Sequence, residues 1–496
     1  RRASCGIMAA IEAKVQDGAL RVAIIAHGSR GDVQPVMALC MALRSRGCVV
    51  AVMSNTNNVA MIQQFGFEAH GFPPDMDVYV RENELCRKLM DGEAGLEEAW
   101  EYSAPWDDRV ERMRILVTSC TSFAPQLVLY NSLALNESLV LEKHLDVCTV
   151  LYQLQVLQAS RYYPPPGCPS LPLGMNKTMW NMCSKEVIKK ALKEGRRLSE
   201  AVLGKDVLAG VSAKSLGRIG MSSAKYRLVI CAISERVLPG GVARDWPVPA
   251  DGVGLLMSGF WTVGVKEQTN PETDRACFGT PDQRKLLEDF VKNGAPPIYI
   301  GWGSMTVRSA AFMAQLAVRA LMLLGKRGVI AGGWAKLEPS SLSGAEDEAD
   351  LRAYAEENVF WATQAPHEWL FPLCAATVHH GGSGTTAAAL RAGKPTVITP
   401  VMLDQFWFAI IVCLLGVGAA TPQLAKVSAS DLASALRECD KEEVRAKAAA
   451  LGETLRLESG ADTAADAVLR YAASHVATGA WREASRRKSG CCFVKA

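Results

Sequence analysis

This 496-residue sequence lacks several familiar signatures. None of its 15 cysteines falls into a C-x-x-C spacing, so no thiolate zinc site is expected. An odd, scattered set of thiols also fits a reducing compartment better than a disulfide framework. Long apolar runs are absent as well. The longest, Phe406–Ala420, is too short to span a bilayer and holds two glycines, which fits a buried helix and strand. Charge of one sign is not in excess: the formal net charge is +3. No arginine-rich arm or basic stripe interleaved with aromatics occurs, so no nucleic-acid partner is expected. No secretory signal is visible, and a cytoplasmic address is expected.

What is present is ordinary in bulk and specific in pattern. Hydrophobic residues make up 49% and charged residues 21%, as in a globular protein long enough for two or three domains. Arg21–Ala26 reads as a buried parallel strand, followed by a helix from about Pro35 to Arg46. Strands follow at Cys48–Ser54, Phe67–Gly71, Leu127–Tyr130 and Val147–Leu151, with helices at Val59–Phe65 and Glu137–His144. The alternation restarts at Pro297–Ile300 and continues through Gly328–Ala331, Val359–Trp361, Thr377–His379 and Thr396–Thr399. Apolar strands alternating with helices predict an α/β fold of two facing, doubly wound parallel-sheet (Rossmann-like) domains. The expected division is an N-terminal extension at 1–19, a first domain at 20–239, a linker rich in Pro, Gly and charge at 240–293, a second domain at 294–475 and a basic, Cys-containing tail at 476–496. The acidic segment Ser341–Tyr354 reads as an exposed loop.

Open α/β sheets bind ligands at the carboxyl ends of their strands, so the loops there hold the candidate site. The most informative is Val378-His379-His380-Gly381-Gly382-Ser383-Gly384-Thr385-Thr386, which runs into the Ala-rich helix Ala387–Ala392. Backbone N–H groups of such a turn, with the helix N-terminus behind it, form an anion site. The hydroxyls of Ser383, Thr385 and Thr386 add donors, and His380 can add a positive charge. The pattern fits a diphosphate. His379 should point the other way and be structural. Trp361 and Pro366-His367 are placed to flank a flat base, and Asp404-Gln405 to grip sugar hydroxyls, with a helix cap as the alternative for Asp404.

The loop after the first strand, His27-Gly28-Ser29-Arg30-Gly31-Asp32, allows a tight turn, and Pro35 suits the first turn of the helix beyond. Asp32 is either that helix's cap or a general base at the mouth of a cleft. With a reference pKa of about 3.9 it would take an alcohol's proton only as the new bond forms. Ile300-Gly301-Trp302-Gly303-Ser304 lets a ligand approach the backbone closely. It lacks a full Gly-x-Gly-x-x-Gly, so a dinucleotide fold is not supported. Asp75-Met76-Asp77 imitates an Asp-x-Asp metal motif but sits in a first-domain loop and reads as solvated.

Together these residues resemble the sterol 3-beta-glucosyltransferases. The resemblance rests on Gly28-Ser29-Arg30-Gly31-Asp32-Val33-Gln34-Pro35, on Pro366-His367-Glu368-Trp369-Leu370-Phe371-Pro372 and on His379-His380-Gly381-Gly382-Ser383-Gly384-Thr385-Thr386, and it extends from about Leu20 to Tyr471. It implies a B-type glycosyltransferase (GT-B) fold, with the acceptor in the first domain, UDP-glucose in the second and a cleft between them. It implies Asp32 as catalytic base, with His27, Ser29 and Arg30 as candidate assistants. Donor binding would fall to Ser304, Trp361, Pro366, His367, His380, Gly382, Ser383, Gly384, Thr385, Asp404 and Gln405. The implied reaction is an inverting displacement giving a steryl beta-glucoside. UDP-glucose is its expected donor substrate, no cofactor or metal is expected, and a monomer is expected.

The sequence departs from the family at Leu403-Asp404-Gln405-Phe406-Trp407, where Gly-Asp-Gln-Pro-Phe-Trp is usual; this leaves glucose less specified than UDP. Because a sterol lives in a bilayer, peripheral contact with a membrane surface is the partner question. Met179–Leu203 carries Lys185, Lys189, Lys190, Lys193, Arg196 and Arg197 among apolar residues, as an interfacial helix or a solvated face would. The tail Arg486-Arg487-Lys488-Ser489-Gly490-Cys491-Cys492 is an acylation candidate that does not meet the prenylation pattern. Two other readings stay open: a UDP-sugar-dependent transferase for another lipid, triterpenoid or polyketide-like acceptor, and a UDP-sugar-binding protein without transfer.

Overall fold

The computed structural model describes residues 18–94, 104–162, 164–165, 172, 174–213, 227–241, 243–246, 252–270, 278–279 and 281–482. Within them two all-parallel sheets form. The first has the order β3-β2-β1-β4-β5-β6-β7, from β1 Arg21–Ala26, β2 Val49–Asn55, β3 Glu68–Phe72, β4 Leu127–Tyr130, β5 Cys148–Gln153, β6 Leu228–Cys231 and β7 Gly254–Met257. The second has the order β10-β9-β8-β11-β12-β13, from β8 Ile298–Gly301, β9 Gly328–Ala331, β10 Val359–Ala362, β11 Ala376–His379, β12 Thr396–Ile398 and β13 Gly418–Ala420. Helices cover both faces of each sheet, which is why β1, β4, β5 and β8 are apolar and buried almost throughout. The strand order reverses between β1 and β4 and between β8 and β11. The loops after β1, β8 and β11 therefore open at the switch points where ligands bind such sheets.

The helices that position the site are α1 Arg30–Arg44, α2 Glu84–Asp91, α3 Trp106–Phe123, α4 Leu135–Leu145, α5 Met175–Leu203, α6 Ser383–Ala392, α7 Gln405–Leu415, α8 Glu442–Arg456 and α9 Gly460–Tyr471. α1 begins at Arg30, five residues before the expected Pro35, so Pro35 lies inside the helix and not in its first turn. A proline there has no N–H to give to the carbonyl four residues back, which frees Gly31 O. That carbonyl faces α6: a β-carbon on Gly384 would lie 3.6 Å from it.

Three expectations change. The 240–293 segment is more than a linker, because it contains β7, the last strand of the first sheet, and a helix at Pro281–Lys292. Ser341–Tyr354 is not a loop throughout: Glu348–Asn358 is helical, and Leu351 and Ala355, one turn apart, are buried. The second domain does not keep its last helix. α9 packs on α1, its Ala464, Ala465 and Val468 join the core around β1, and Arg46 donates to Asp462 (2.8 Å) and Asp466 (2.7 Å).

Phe406–Ala420 divides into α7 and β13. Among the described residues no helix is long and apolar enough to cross a membrane. α5 packs on α3 and α4 with Trp180, Ile188, Ala191, Leu192 and Leu198 buried, while Lys185, Lys189, Lys190, Lys193 and Arg197 are exposed. The Arg486–Cys492 tail lies outside the described residues.

A candidate active site between two helix N-termini

The first half of the site is the β1–α1 turn. Gly28 is held on both sides by buried asparagines: its N–H donates to Asn55 Oδ1 (2.9 Å), and its carbonyl accepts from Asn58 Nδ2 (3.0 Å). Its φ is +135°, a left-handed conformation that favours glycine. Asp32 stands in the first turn of α1, where the Ser29 N–H (2.8 Å) and hydroxyl (3.1 Å) both donate to its Oδ2. Asp32 does cap its helix, but with one oxygen; Oδ1 has no hydrogen-bond partner among the described residues. Burial raises its pKa above the ordinary carboxylate value, opposed by the two bonds from Ser29.

The proposed assistants behave differently from one another. Ser29 holds Asp32. His27 packs: Nδ1 is 3.3 Å from Leu133 O, and the ring meets Phe72 edge-on. Burial, then the charge of Arg112, brings its pKa down to about 4. Arg30 turns away from Asp32 and bridges the domains, donating to Gln34 Oε1 (3.2 Å) and to Gln364 Oε1 (2.5 Å).

The second half is the β11–α6 turn. His379 is fully buried; its Nδ1 accepts from the Gly381 N–H (3.0 Å), so its Nε2 donates to Thr396 Oγ1 (2.9 Å). It is structural, as expected. His380 lies between two glycines that could bear no side chain without crowding it: a β-carbon on Gly303 would be 3.1 Å from its Cε1, and one on Gly382 2.4 Å from its Nε2. Its Nδ1 has no partner among the described residues. Burial brings its pKa to about 4, so at neutral pH it offers a neutral N–H rather than the positive charge expected of it.

Gly382 precedes α6 as its N-cap, and the N–H groups of Ser383, Gly384 and Thr385 open the helix. The Ser383 hydroxyl donates to Leu154 O across the cleft (2.5 Å), and that of Thr386 to Gly382 O (2.9 Å). Two of the three expected hydroxyl donors are therefore engaged, and Thr385 is the half-buried one left. Ser304 is half-buried in the β8 turn, whose Trp302 is core, with Nε1 donating to Thr399 Oγ1 (2.7 Å).

Farther along the second sheet, Pro366 precedes the one-turn helix His367–Leu370. One face of the His367 ring stacks on Phe371 (4.5 Å, 17°), and Nε2 is 3.1 Å from the Tyr299 hydroxyl. Burial lowers its pKa to about 3. Trp361 packs into a different apolar cluster, with Ile330 and Leu351. Each is packed within the second domain, Pro366 buried and Trp361 and His367 half-buried.

Asp404 stands at the start of α7 but makes no cap bond. Its pKa is raised to about 7, first by burial and then by the negative charge of Asp32; the two carboxylates sense each other across the cleft. Gln405 is tied down: Oε1 accepts from the N–H groups of Val401 (2.8 Å) and Met402 (3.0 Å), and Nε2 meets Met305 Sδ (3.5 Å). It braces the loop that carries Asp404, and its carboxamide oxygen is occupied by those two N–H groups.

The N-termini of α1 and α6 thus meet across the interdomain cleft, with, among the described residues, an unpartnered carboxylate oxygen on one side and the opening N–H groups of α6 beside a neutral histidine on the other. Residues 344–468 match the erythromycin biosynthesis protein CIII-like C-terminal domain family. A sterol 3-beta-glucosyltransferase of Arabidopsis thaliana is 27% identical over 469 residues, covering 91% of this chain and 68% of that protein. One of Saccharomyces cerevisiae is 26% identical over 91% of this chain and 35% of that protein. The chain is similar to the sterol 3-beta-glucosyltransferases over nine-tenths of its length. It spans about two thirds of the plant protein's length and 35% or less of the yeast and fungal ones. Solved structures with the same fold include the glycosyltransferase of kitacinnamycin (TM-score 0.60, 17% identical, 91% of this chain and 99% of that one) and the glycosyltransferase VinC in complex with dTDP (0.56, 17%, 93% and 100%). The fold is GT-B.

The departure from the family pattern at residue 403 has a visible consequence. Leu403 has φ +51°, a left-handed backbone that glycine adopts far more readily than leucine, and its side chain is 53% exposed. Several residues of the site had escaped notice in the sequence: Asn55 and Asn58, Gln364, Leu154 and the Gly332-Gly333-Trp334 turn, whose Trp334 N–H donates to Gly303 O (2.9 Å). Only the polar Asn55–Asn58 run directly after a strand could have signalled itself; the others act through backbone atoms or across the domains.

Proposed function

We propose that the chain transfers glucose from UDP-glucose to the 3-hydroxyl of a sterol, giving a steryl beta-glucoside. The observation that carries this is the juxtaposition of the first turn of α1, which holds Asp32, with the N-terminus of α6, where a β-carbon on Gly384 would lie 3.6 Å from Gly31 O. Asp32 takes the proton of the acceptor hydroxyl as its oxygen bonds to the anomeric carbon. The bond from that carbon to the diphosphate breaks on the opposite side, which inverts the centre. Charge on the departing UDP falls on the Ser383–Thr385 N–H groups and the His380 N–H, donors already in place, so no step calls for a metal. Asp404 is the group placed to read the sugar hydroxyls. Proton NMR of the product, formed in a chelator, tests this reading; an alpha anomer, or a rate restored only by a divalent cation, would contradict it.

The exposed basic stripe of α5 supports peripheral membrane contact, since a polar face rich in Lys suits an anionic bilayer surface. Flotation with anionic vesicles should carry the chain and fail when Lys185, Lys189, Lys190 and Lys193 are changed to Gln; flotation unaffected by these changes would return the stripe to a solvated face.

A further inference from the structure

A second polar feature lies in the first domain, apart from the groups that act in transfer. Gln153 ends β5. It is 2% exposed, and among the described residues neither its carboxamide oxygen nor its nitrogen has a hydrogen-bond partner. The register runs Ile25–Tyr130–Leu151 across β1, β4 and β5. Two residues beyond Leu151, Gln153 is therefore level with His27 and on the face covered by α3 and α4, opposite α1. Asn131 sits at the same end, 6% exposed, its Nδ2 donating to His27 O (2.6 Å) and its Oδ1 unpartnered among the described residues. The buried pair Arg112–Glu137 (2.7 Å), whose charges reach the neighbouring His27, also keeps Nη1 and Oε2 without a partner among the described residues. The next residue after Gln153 is Leu154, which receives the Ser383 hydroxyl from the second domain. Gln153 is thus one residue from the contact that joins the two halves of the site.

Buried polar groups are normally satisfied, and a cluster that is not calls for an explanation. We propose that Gln153 is the hydrogen-bonding residue of an acceptor subsite that takes an oxygen function other than the hydroxyl being glycosylated. The inference rests on the acceptor reading given above. A carboxamide both accepts and donates, which matches a neutral hydroxyl or carbonyl. The reacting hydroxyl belongs beside Asp32, at the end of β1. β5 is two strands away, about 10 Å at the usual strand spacing, and Gln153 is on the other face, so the group it holds is a second oxygen. Asn131, Arg112 and Glu137 make this end of the sheet a poor seat for bare hydrocarbon. The acceptor is therefore a polycyclic alcohol carrying at least two oxygen functions.

The test is binding of the full chain, in detergent micelles and followed by tryptophan fluorescence, to a 3-hydroxysterol and to regioisomers bearing one further hydroxyl. One regioisomer is expected to bind about tenfold tighter or better than the 3-hydroxysterol, the size of effect a well-placed buried hydrogen bond produces. Gln153→Met should abolish that preference while leaving the affinity for the 3-hydroxysterol unchanged. Gln153→Asn, which withdraws the carboxamide by one methylene, should reduce it as well, and serves if the first variant does not fold. Equal affinity of the wild type for all the sterols overturns the proposal, and so does a preference that survives both substitutions. Sugar transfer is read separately. A Gln153-dependent preference without transfer supports the subsite and contradicts the proposed reaction; transfer without any preference does the reverse.

Discussion

A β-carbon placed on Gly28 would lie 2.3 Å from Asp32 Oδ2. That distance is far below any van der Waals contact, so the two positions are coupled: Asp32 can occupy its place only because residue 28 has no side chain. Gly28→Ala should therefore displace the Asp32 carboxylate or the turn itself. We expect kcat to fall by about 10²-fold or more, since misplacing a catalytic group by about an ångström is enough. UDP affinity should stay within about twofold of the wild type, because the donor half is untouched. Steady-state kinetics alongside UDP titration checks this; unchanged kcat would show that Asp32 needs no such placement.

His380 is expected to act as a neutral hydrogen-bond donor. His380→Ala should lower kcat by about 10²-fold, the usual effect of removing one donor from a developing negative charge, and weaken donor binding too. His380→Gln, which retains an N–H donor, should recover part of the loss. Because burial holds the imidazole near 4, the ratio of wild-type to His380→Gln rates should stay flat from pH 6 to pH 9. A ratio that changes steeply across that range would assign the histidine a charge instead.

Leu403 holds a left-handed backbone with an exposed side chain. Leu403→Gly removes strain of about 1 kcal/mol and gives back a comparable amount through the freer unfolded chain, with little burial to lose. The melting temperature should remain equal or rise slightly. A fall like that of an ordinary core Leu→Gly substitution would contradict the assignment of strain to this position.

Asp404 links stability to pH. Its folded pKa, about 7, lies above the unfolded value of 3.8, so the folded state holds its proton more tightly. The resulting stability is fully present below about pH 4 and is lost as pH rises through 7. Asp404→Asn removes that dependence. It should melt higher than the wild type at pH 8, with the gap closing toward pH 4; calorimetry at both pH values decides, and a gap that is constant or reversed would refute the linkage.

Much of the fold was legible because its strands are short apolar runs between turn residues. Leu127–Tyr130 and Gly328–Ala331 match their predicted bounds. β7 was hidden inside a stretch rich in Pro and Gly, whereas β13, Gly418-Ala419-Ala420, was legible as the end of the apolar run Phe406–Ala420 although it carries no β-forming side chain. The Glu348–Asn358 helix shows only Leu351 and Ala355 as its buried face, too faint against its acidic residues. At the site, the two loops could be found because glycine, serine and histidine cluster there for reasons of backbone geometry. What they do in detail depended on burial and on partners distant in sequence. His380 reads as a cation until its burial is known, Ser383 as a phosphate ligand until Leu154 is beside it, and Gln405 as a sugar ligand until the Val401 and Met402 N–H groups occupy it.

The central claim is that this cleft joins a sugar from UDP-glucose to a sterol by means of Asp32. The most direct measurement is transfer of label from UDP-glucose to a mixed panel of sterols in detergent micelles, with the wild type and Asp32→Asn side by side. The account predicts a labelled, base-stable steryl product from the wild type, at least about 10²-fold less from Asp32→Asn, and equal UDP binding by both. Product formed equally well by Asp32→Asn, or UDP binding with no steryl product from the wild type, would contradict it.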